Sequence, residues 1–337
     1  MRNVAANVLT ILIVLGLVGL GALSAAQRAV TEAGPATEEI QVQIPRGASV
    51  REISELLEDA GALPERAMAG ALSGAQMFRL AANYSGEGQN LKFGEYAIAP
   101  GASVLDIVGL LSEGGNVQHT VTIPEGMTVS MALDRVNAAE LLTGEVSDVP
   151  PEGSLFPDTW AHERGATRQS VIDRMKARME EELDNAWEAR APDLPLKSKE
   201  ELLILASIVE KEARPEEHGK VASVFINRIR RGMRLQTDPT VIYGITLGQA
   251  PLGRGLRRSE LSAPTPYNTY VIAGLPPTPI ANPGRESLMA VAQPDTTAFL
   301  YFVADGTGGH AFATNLDEHN QNVANWRRIE RERNENQ

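Results

Sequence analysis

The chain has 337 residues, 43% of them apolar, a formal net charge of −12 and no cysteine. That length allows two ordinary domains or one large one, with enough apolar material for each to bury a core. The acidic balance argues against a nucleic-acid partner, which calls for clustered Lys and Arg. The absence of Cys excludes disulfides, thiol nucleophiles and Cys-based zinc sites.

No residue from Asn3 to Gln27 is charged, and Val8–Ala26 is a run of 19 mostly apolar residues. A bilayer-spanning helix needs ~20 such residues. Arg2 precedes the run and favours a cytoplasmic location for residues 1–7, which places everything after residue 26 outside. A cleaved signal peptide is the rival reading, because Ser24, Ala25 and Ala26 offer small residues for cleavage. The length of the run favours a retained single-pass anchor. Residues 27–40 are polar and read as a linker.

A small α+β region is expected over 41–130. The stretch 42–61 starts with strand-like alternation, turns at Pro45 and Gly47, and enters a helix at Ser49, with Glu52 at capping-box spacing. Ile53, Leu56 and Leu57 then mark one apolar face. The stretches 96–111 and 121–129 repeat the strand–turn–helix pattern, the first with Ser103 and Asp106 at the same capping spacing. Pro-Gly turns before helix caps are common, so the repeat alone does not define a fold.

The larger region, 131–325, opens with a turn-rich junction at 138–165 and a charged amphipathic helix at 166–191. Ser198 and Glu201 then start a helix through ASIVEKEA, which Pro215 ends. At 100° per residue, Glu201 and Glu212 fall on one side, while Glu210 falls near Leu203, Ala206 and Ala213. A carboxyl on such an apolar face holds its proton more tightly, as a general acid near neutral pH requires. An interior Glu paired with a cation gives the same pattern. A second apolar helix ends near Gly232. An irregular polar segment, Gln236–Thr240, follows. The stretch 264–284 reads as an ordered loop presenting Tyr267, Asn268 and Tyr270, groups that suit sugar hydroxyls and acetamides or plain loop bracing. The stretch 298–320 reads as strand, Gly-rich turn, strand and helix. Its GTGG lacks the Lys and helix of a phosphate loop. The stretch 245–263 carries no assignable pattern, and 326–337 reads as a charged tail. No two of the five histidines form a short metal-ligand pair, and no GxSxG elbow is present.

The motifs GSLFPDTW (153–160), LASIVEKEA, VASVFINRIRRGMRLQTDPTVIYG, PYNTYVIAGLPPTPIANPG and LYFVADGTGGHAFATNLDEHN resemble the endolytic murein transglycosylases of the YceG-like family. The resemblance runs over roughly residues 40–325. It implies an α+β protein with an N-terminal transmembrane helix in the inner membrane, a small LysM-like subdomain and a larger periplasmic catalytic domain. The implied activity is internal cleavage of nascent peptidoglycan glycan strands beside the synthases of the elongation machinery, leaving 1,6-anhydro-N-acetylmuramic ends, with no metal or cofactor. Glu210 is the implied catalytic acid, and Gln236, Thr237, Asp238, Asn268 and Tyr270 are expected to line the groove around it. A muramidase using water and a non-enzymatic glycan-binding scaffold are the alternatives.

Overall fold

A computed structural model of the chain describes residues 2–66, 70–115 and 117–335, the side chains of 2–9 and 334 excepted. Met1 of the expected cytoplasmic segment and residues 336–337 of the expected tail lie outside the described residues. The chain divides into two compact units, residues 1–119 with 161–164, and residues 120–160 with 165–337.

The first unit opens on helix α1 (Arg2–Thr31), which is long and apolar enough from Thr10 to Thr31 to cross a membrane. The helix does not stop at residue 26, because Ala29 and Val30 find apolar partners in the core of the same unit. The segment beyond it is strapped down rather than loose. Gly34 donates its N–H to the carbonyl of Gly101 (3.1 Å), and Gly101 donates back to Ala36 (2.8 Å). A Cβ at residue 34 would meet the Ala102 carbonyl oxygen at 2.2 Å, so only glycine fits there.

Strand β1 (Ile40–Ile44), helices α2 (Val50–Asp59) and α3 (Gly74–Ser85), strand β2 (Gly94–Ile98) and helix α4 (Val104–Glu113) complete this unit. β1 and β2 pair antiparallel, with Val42 opposite Tyr96. α2 and α4 begin with the capping boxes expected at Ser49/Glu52 and Ser103/Asp106, and α3 has another at Ser73/Gln76. Ile53, Leu57, Phe78, Tyr96, Ile107 and Leu111 meet in one core. The chain crosses between units in two paired strands, β3 (His119–Thr122) and β4 (Thr159–His162). β4 lies within the stretch read from sequence as a turn-rich junction.

The second unit holds α5 (Val129–Ala138), α6 (Arg168–Glu188), α7 (Lys199–Glu212), α8 (His218–Arg230), α9 (Asp238–Thr246), the short α10 (Arg258–Leu261) and α11 (Arg285–Ala292). The hairpin β5 (Tyr301–Ala304) and β6 (His310–Ala313) and helix α12 (Leu316–Glu335) follow. α7, α8 and α11 pack around Leu205, Val209, Ala222, Phe225, Leu288 and Val291. A second cluster joins β3, α5 and α6 through Val121, Val136, Val171 and Met175. Two expectations change here. α9 begins at Asp238, so the Gln236–Thr240 segment is half helix, with Pro239 placed in the first turn where it needs no N–H partner. α12 carries the charged residues after 325 as helix up to Glu335.

Candidate active site

Ser198 caps α7 by accepting the Glu201 N–H (3.2 Å). Beyond the first turn the helix is sheathed by protein, with Ile204 to Val209 all buried. Ser207 ties it to the 264–284 segment. Its hydroxyl donates to Ile204 O (2.7 Å) and accepts the Ile280 N–H (3.0 Å). A helix covered all round has no solvent face from which a wheel can be oriented. The wheel alone therefore does not decide between its two terminal glutamates.

Glu212 is the one that meets the polar residues after α8, through Thr237. The residue keeps partial solvent access, yet its carboxyl is crowded by protein, and burial raises its pKa. The hydrogen bond that Thr237 Oγ1 donates to Glu212 Oε1 opposes the rise. The negative charge of Asp238 adds to it, and His310 and Arg228 pull the other way.

Each partner is fixed in turn. Buried Thr237 donates its N–H to Thr269 Oγ1 (3.0 Å), and the Thr240 and Thr269 hydroxyls lie 2.8 Å apart. Gln236, just before, sits at φ +52°, a left-handed conformation costly for a side-chain-bearing residue. It donates its N–H to Thr269 O (3.1 Å). Tyr270 Oη donates to Asp238 Oδ1 (2.7 Å), and burial followed by this contact raises the phenol's pKa. The Arg228 guanidinium donates to Leu300 O (2.7 Å) and Leu235 O (2.5 Å), 5.4 Å from the Tyr301 ring centroid. Glu217 holds His310 through its ring Nδ1 (2.8 Å) and its backbone N–H (3.0 Å).

Glu210 does different work. Its Oε2 accepts the Gly284 N–H (3.0 Å) and the Ser287 hydroxyl (2.8 Å) at the N-terminus of α11. Ser287 Oγ also lies 3.1 Å from His218 Nδ1, whose Nε2 sits 3.0 Å from Ala213 O. A carboxylate at the start of a helix is stabilised by unpaired N–H groups and the helix dipole. Nearby Glu125, in the IPEG turn, is pushed up by burial and by the charges of Glu210 and Glu286. Glu152 is pushed up by burial too, but both its oxygens are engaged, one by Val129 N–H (2.8 Å) and one by Tyr243 Oη (3.2 Å).

Three of the five residues expected around Glu210 gather at Glu212. Thr237, Asp238 and Tyr270 form one bonded group with it, and exposed Gln236 adjoins them along the chain. Asn268 is fully buried and bonded within its own segment. Its Nδ2 donates to the carbonyls of Glu260, Leu261 and Ala263 (3.1, 3.1 and 2.8 Å) and its Oδ1 accepts Tyr270 N–H (3.0 Å). It braces the loop that presents Tyr270. The sequence reading did not single out Arg228, His310 or Glu125. Arg228 is a cation beside the apolar residues Val224, Phe225 and Ile226 of α8, and that is a readable signal for a buried polar role.

The model of the YceG-like family matches residues 42–325. The chain belongs to the YceG-like family. A Streptococcus pneumoniae protein named endolytic murein transglycosylase is 30% identical over 338 residues, covering 85% of this chain and 58% of the relative. A Bacillus subtilis protein of the same name is 38% identical over 179 residues, 51% of this chain and 47% of the relative. The match thus spans about half the length of those curated relatives. A crystal structure of a yceG-like protein from Listeria monocytogenes superposes with a TM-score of 0.52 at 29% identity, covering 84% of this chain and 98% of that one.

Proposed function

We propose that this protein is a membrane-anchored endolytic transglycosylase of peptidoglycan, with Glu212 as its catalytic acid and base. The reading rests on family membership and on one observation above the rest. Among the described residues, Glu212 is the one carboxyl raised by burial that is bonded to Thr237, beside the Asp238–Tyr270 pair, while keeping access to solvent.

In the reaction, the Glu212 carboxylic acid gives its proton to the glycosidic oxygen between N-acetylmuramic acid and N-acetylglucosamine as the C1–O bond breaks. The C6 hydroxyl oxygen of the same muramic sugar attacks C1, and its proton passes to the Glu212 carboxylate. The enzyme is regenerated and the strand ends in a 1,6-anhydro sugar. Intramolecular attack supplies effective concentration, so a second catalytic carboxylate is not required. Thr237 orients Glu212. Asp238, held by Tyr270, disfavours early ionisation of the acid and faces the positive charge that develops at C1.

Asp238 also supports a second reading, since glycosidases that use water need two carboxylates. Reducing ends in the product would identify that hydrolytic activity. The β–α–α–β order of the first unit, with its antiparallel strand pair, supports the LysM-like reading and a glycan-holding role for that unit. α1 supports single-pass anchoring in the inner membrane with both units on the periplasmic side, beside the synthases that make the strands.

Turnover of purified glycan strands tests the assignment. Glu212→Gln should lose ~10²–10⁴-fold in rate, the usual cost of removing a general acid, while Glu125→Gln retains most activity. The reverse pattern moves the acid to Glu125.

A further inference from the structure

α1 runs without a break from its apolar stretch into the core of the first unit, where Ala29 and Val30 pack. Beside its last turns lies an apolar groove lined by Leu23, Met77, Leu80, Ala81, Tyr84 and Leu105. Four of these side chains are unusually open for their type: Leu23 is 51% exposed, Leu80 54%, Tyr84 89% and Leu105 42%. Leu80 and Tyr84 stand at i and i+4 on α3, so they form one stripe rather than scattered apolar surface.

The level of this groove follows from helix geometry. Uncharged residues 3–27 lie between Arg2 and Arg28. At 1.5 Å per residue these 25 residues reach ~37 Å, against a hydrocarbon layer of ~30 Å. For a helix standing upright, the excess of ~7 Å places about five residues at one end in the headgroup layer. Leu23 to Gln27 are those residues at the end that joins the first unit, and the groove surrounds them. Arg28, also in the groove wall, is placed to reach lipid phosphates, and an exposed Tyr is the side chain favoured at the membrane–water boundary.

We infer that the α3–α4 face of the first unit is seated on the outer surface of the membrane, with lipid acyl chains filling the groove between α1, α3 and α4. The inference rests on the anchoring reading. The face is continuous with the span, and its occupant is the lipid that already surrounds the rest of α1. The exposed side of α2, with Arg51, Glu52 and Glu55, is charged and remains in water. Seating fixes the first unit's orientation to the bilayer, and with it the height at which a strand held by that unit would run.

The chain has no cysteine, so single substitutions can be labelled cleanly. The full chain carrying Leu80→Cys, Tyr84→Cys, Leu105→Cys, Glu55→Cys or Leu15→Cys is labelled with an environment-sensitive fluorophore. Each is reconstituted into phosphatidylglycerol–phosphatidylcholine vesicles with or without lipids spin-labelled near the headgroup or deep in the chain. Leu15→Cys should be quenched by the deep label. Positions 80, 84 and 105 should be blue-shifted and quenched by the shallow label at least about twofold more than position 55, as interfacial side chains are. Quenching at 15 with water-like emission at 80, 84 and 105 overturns the seated face and leaves the anchor standing. A blue shift there without lipid quenching assigns the face to protein and also overturns it. Absence of quenching at 15 removes the anchor, and the inference falls with it.

Discussion

Glu210→Ala separates a structural carboxylate from a chemical one. Its Oε2 takes two donors, Gly284 N–H at 3.0 Å and Ser287 Oγ at 2.8 Å, and alanine leaves the buried Gly284 N–H without its acceptor and Ser287 Oγ with His218 Nδ1 as its remaining partner. A hydrogen bond to an ionised group contributes ~1.5–3 kcal/mol. The two share one oxygen and are not additive, so the combined loss is about 2–4 kcal/mol. For a unit of this size, each kcal/mol moves the midpoint by roughly 2–4 °C, giving a fall of about 5–15 °C. Glu210→Gln keeps an acceptor oxygen in place and should lose about 1 kcal/mol and little turnover. Differential scanning calorimetry of the detergent-solubilised full chain, alongside strand-cleavage rates, provides the comparison. A Glu210→Ala protein with unchanged melting and no turnover would refute the helix-anchoring role and return the chemistry to Glu210.

Three further outcomes are expected. The alkaline limb of the kcat/KM profile reports loss of the Glu212 proton. Asp238→Asn removes a charge that raises that pKa and should move the limb to lower pH, whereas Thr237→Val removes a bond that lowers it and should move the limb to higher pH. Shifts in one common direction would exclude these electrostatic roles. Asn268→Ala should cost ~1–3 kcal/mol in denaturant unfolding through its freed carbonyl partners, with a kcat loss larger than any change in KM. A KM effect alone would mean that Asn268 touches substrate. Intact-mass measurement of membrane-extracted protein should show α1 retained; a mature chain starting near Gln27 would identify a signal peptide instead.

Much of the local structure is legible in the sequence because its signals are local. Ser49 with Glu52 and Ser103 with Asp106 cap helices by contacts within three residues, and Gly47 turns the chain between β1 and α2. The strand–turn–strand–helix series after residue 298 is readable for the same reason. The choice between Glu210 and Glu212 is not local. It depends on α11 arriving with a bare N-terminus beside Glu210, and on the 235–240 turn arriving beside Glu212. Both segments lie far along the chain from α7. Asn268 looks like a substrate-binding amide in sequence because loop bracing and sugar binding use the same side chain, and only the carbonyls of 260–263 distinguish them. The polar character of Thr237, Asp238 and Tyr270 is readable, but not that Thr237 bonds to Glu212. The extension of α1 through Val30 was likewise hidden, since two apolar residues in a polar stretch acquire meaning only when a core lies beside them.

The most direct test of the central claim is mass spectrometry of the new ends formed when uncrosslinked glycan strands are incubated with the full chain and, separately, with a folded Glu212→Gln variant. The wild-type protein should generate internal fragments ending in 1,6-anhydro-N-acetylmuramic acid, one water lighter than hydrolytic ends, and the variant almost none. Reducing ends from the wild type, or anhydro ends formed at near wild-type rate by Glu212→Gln, would contradict it.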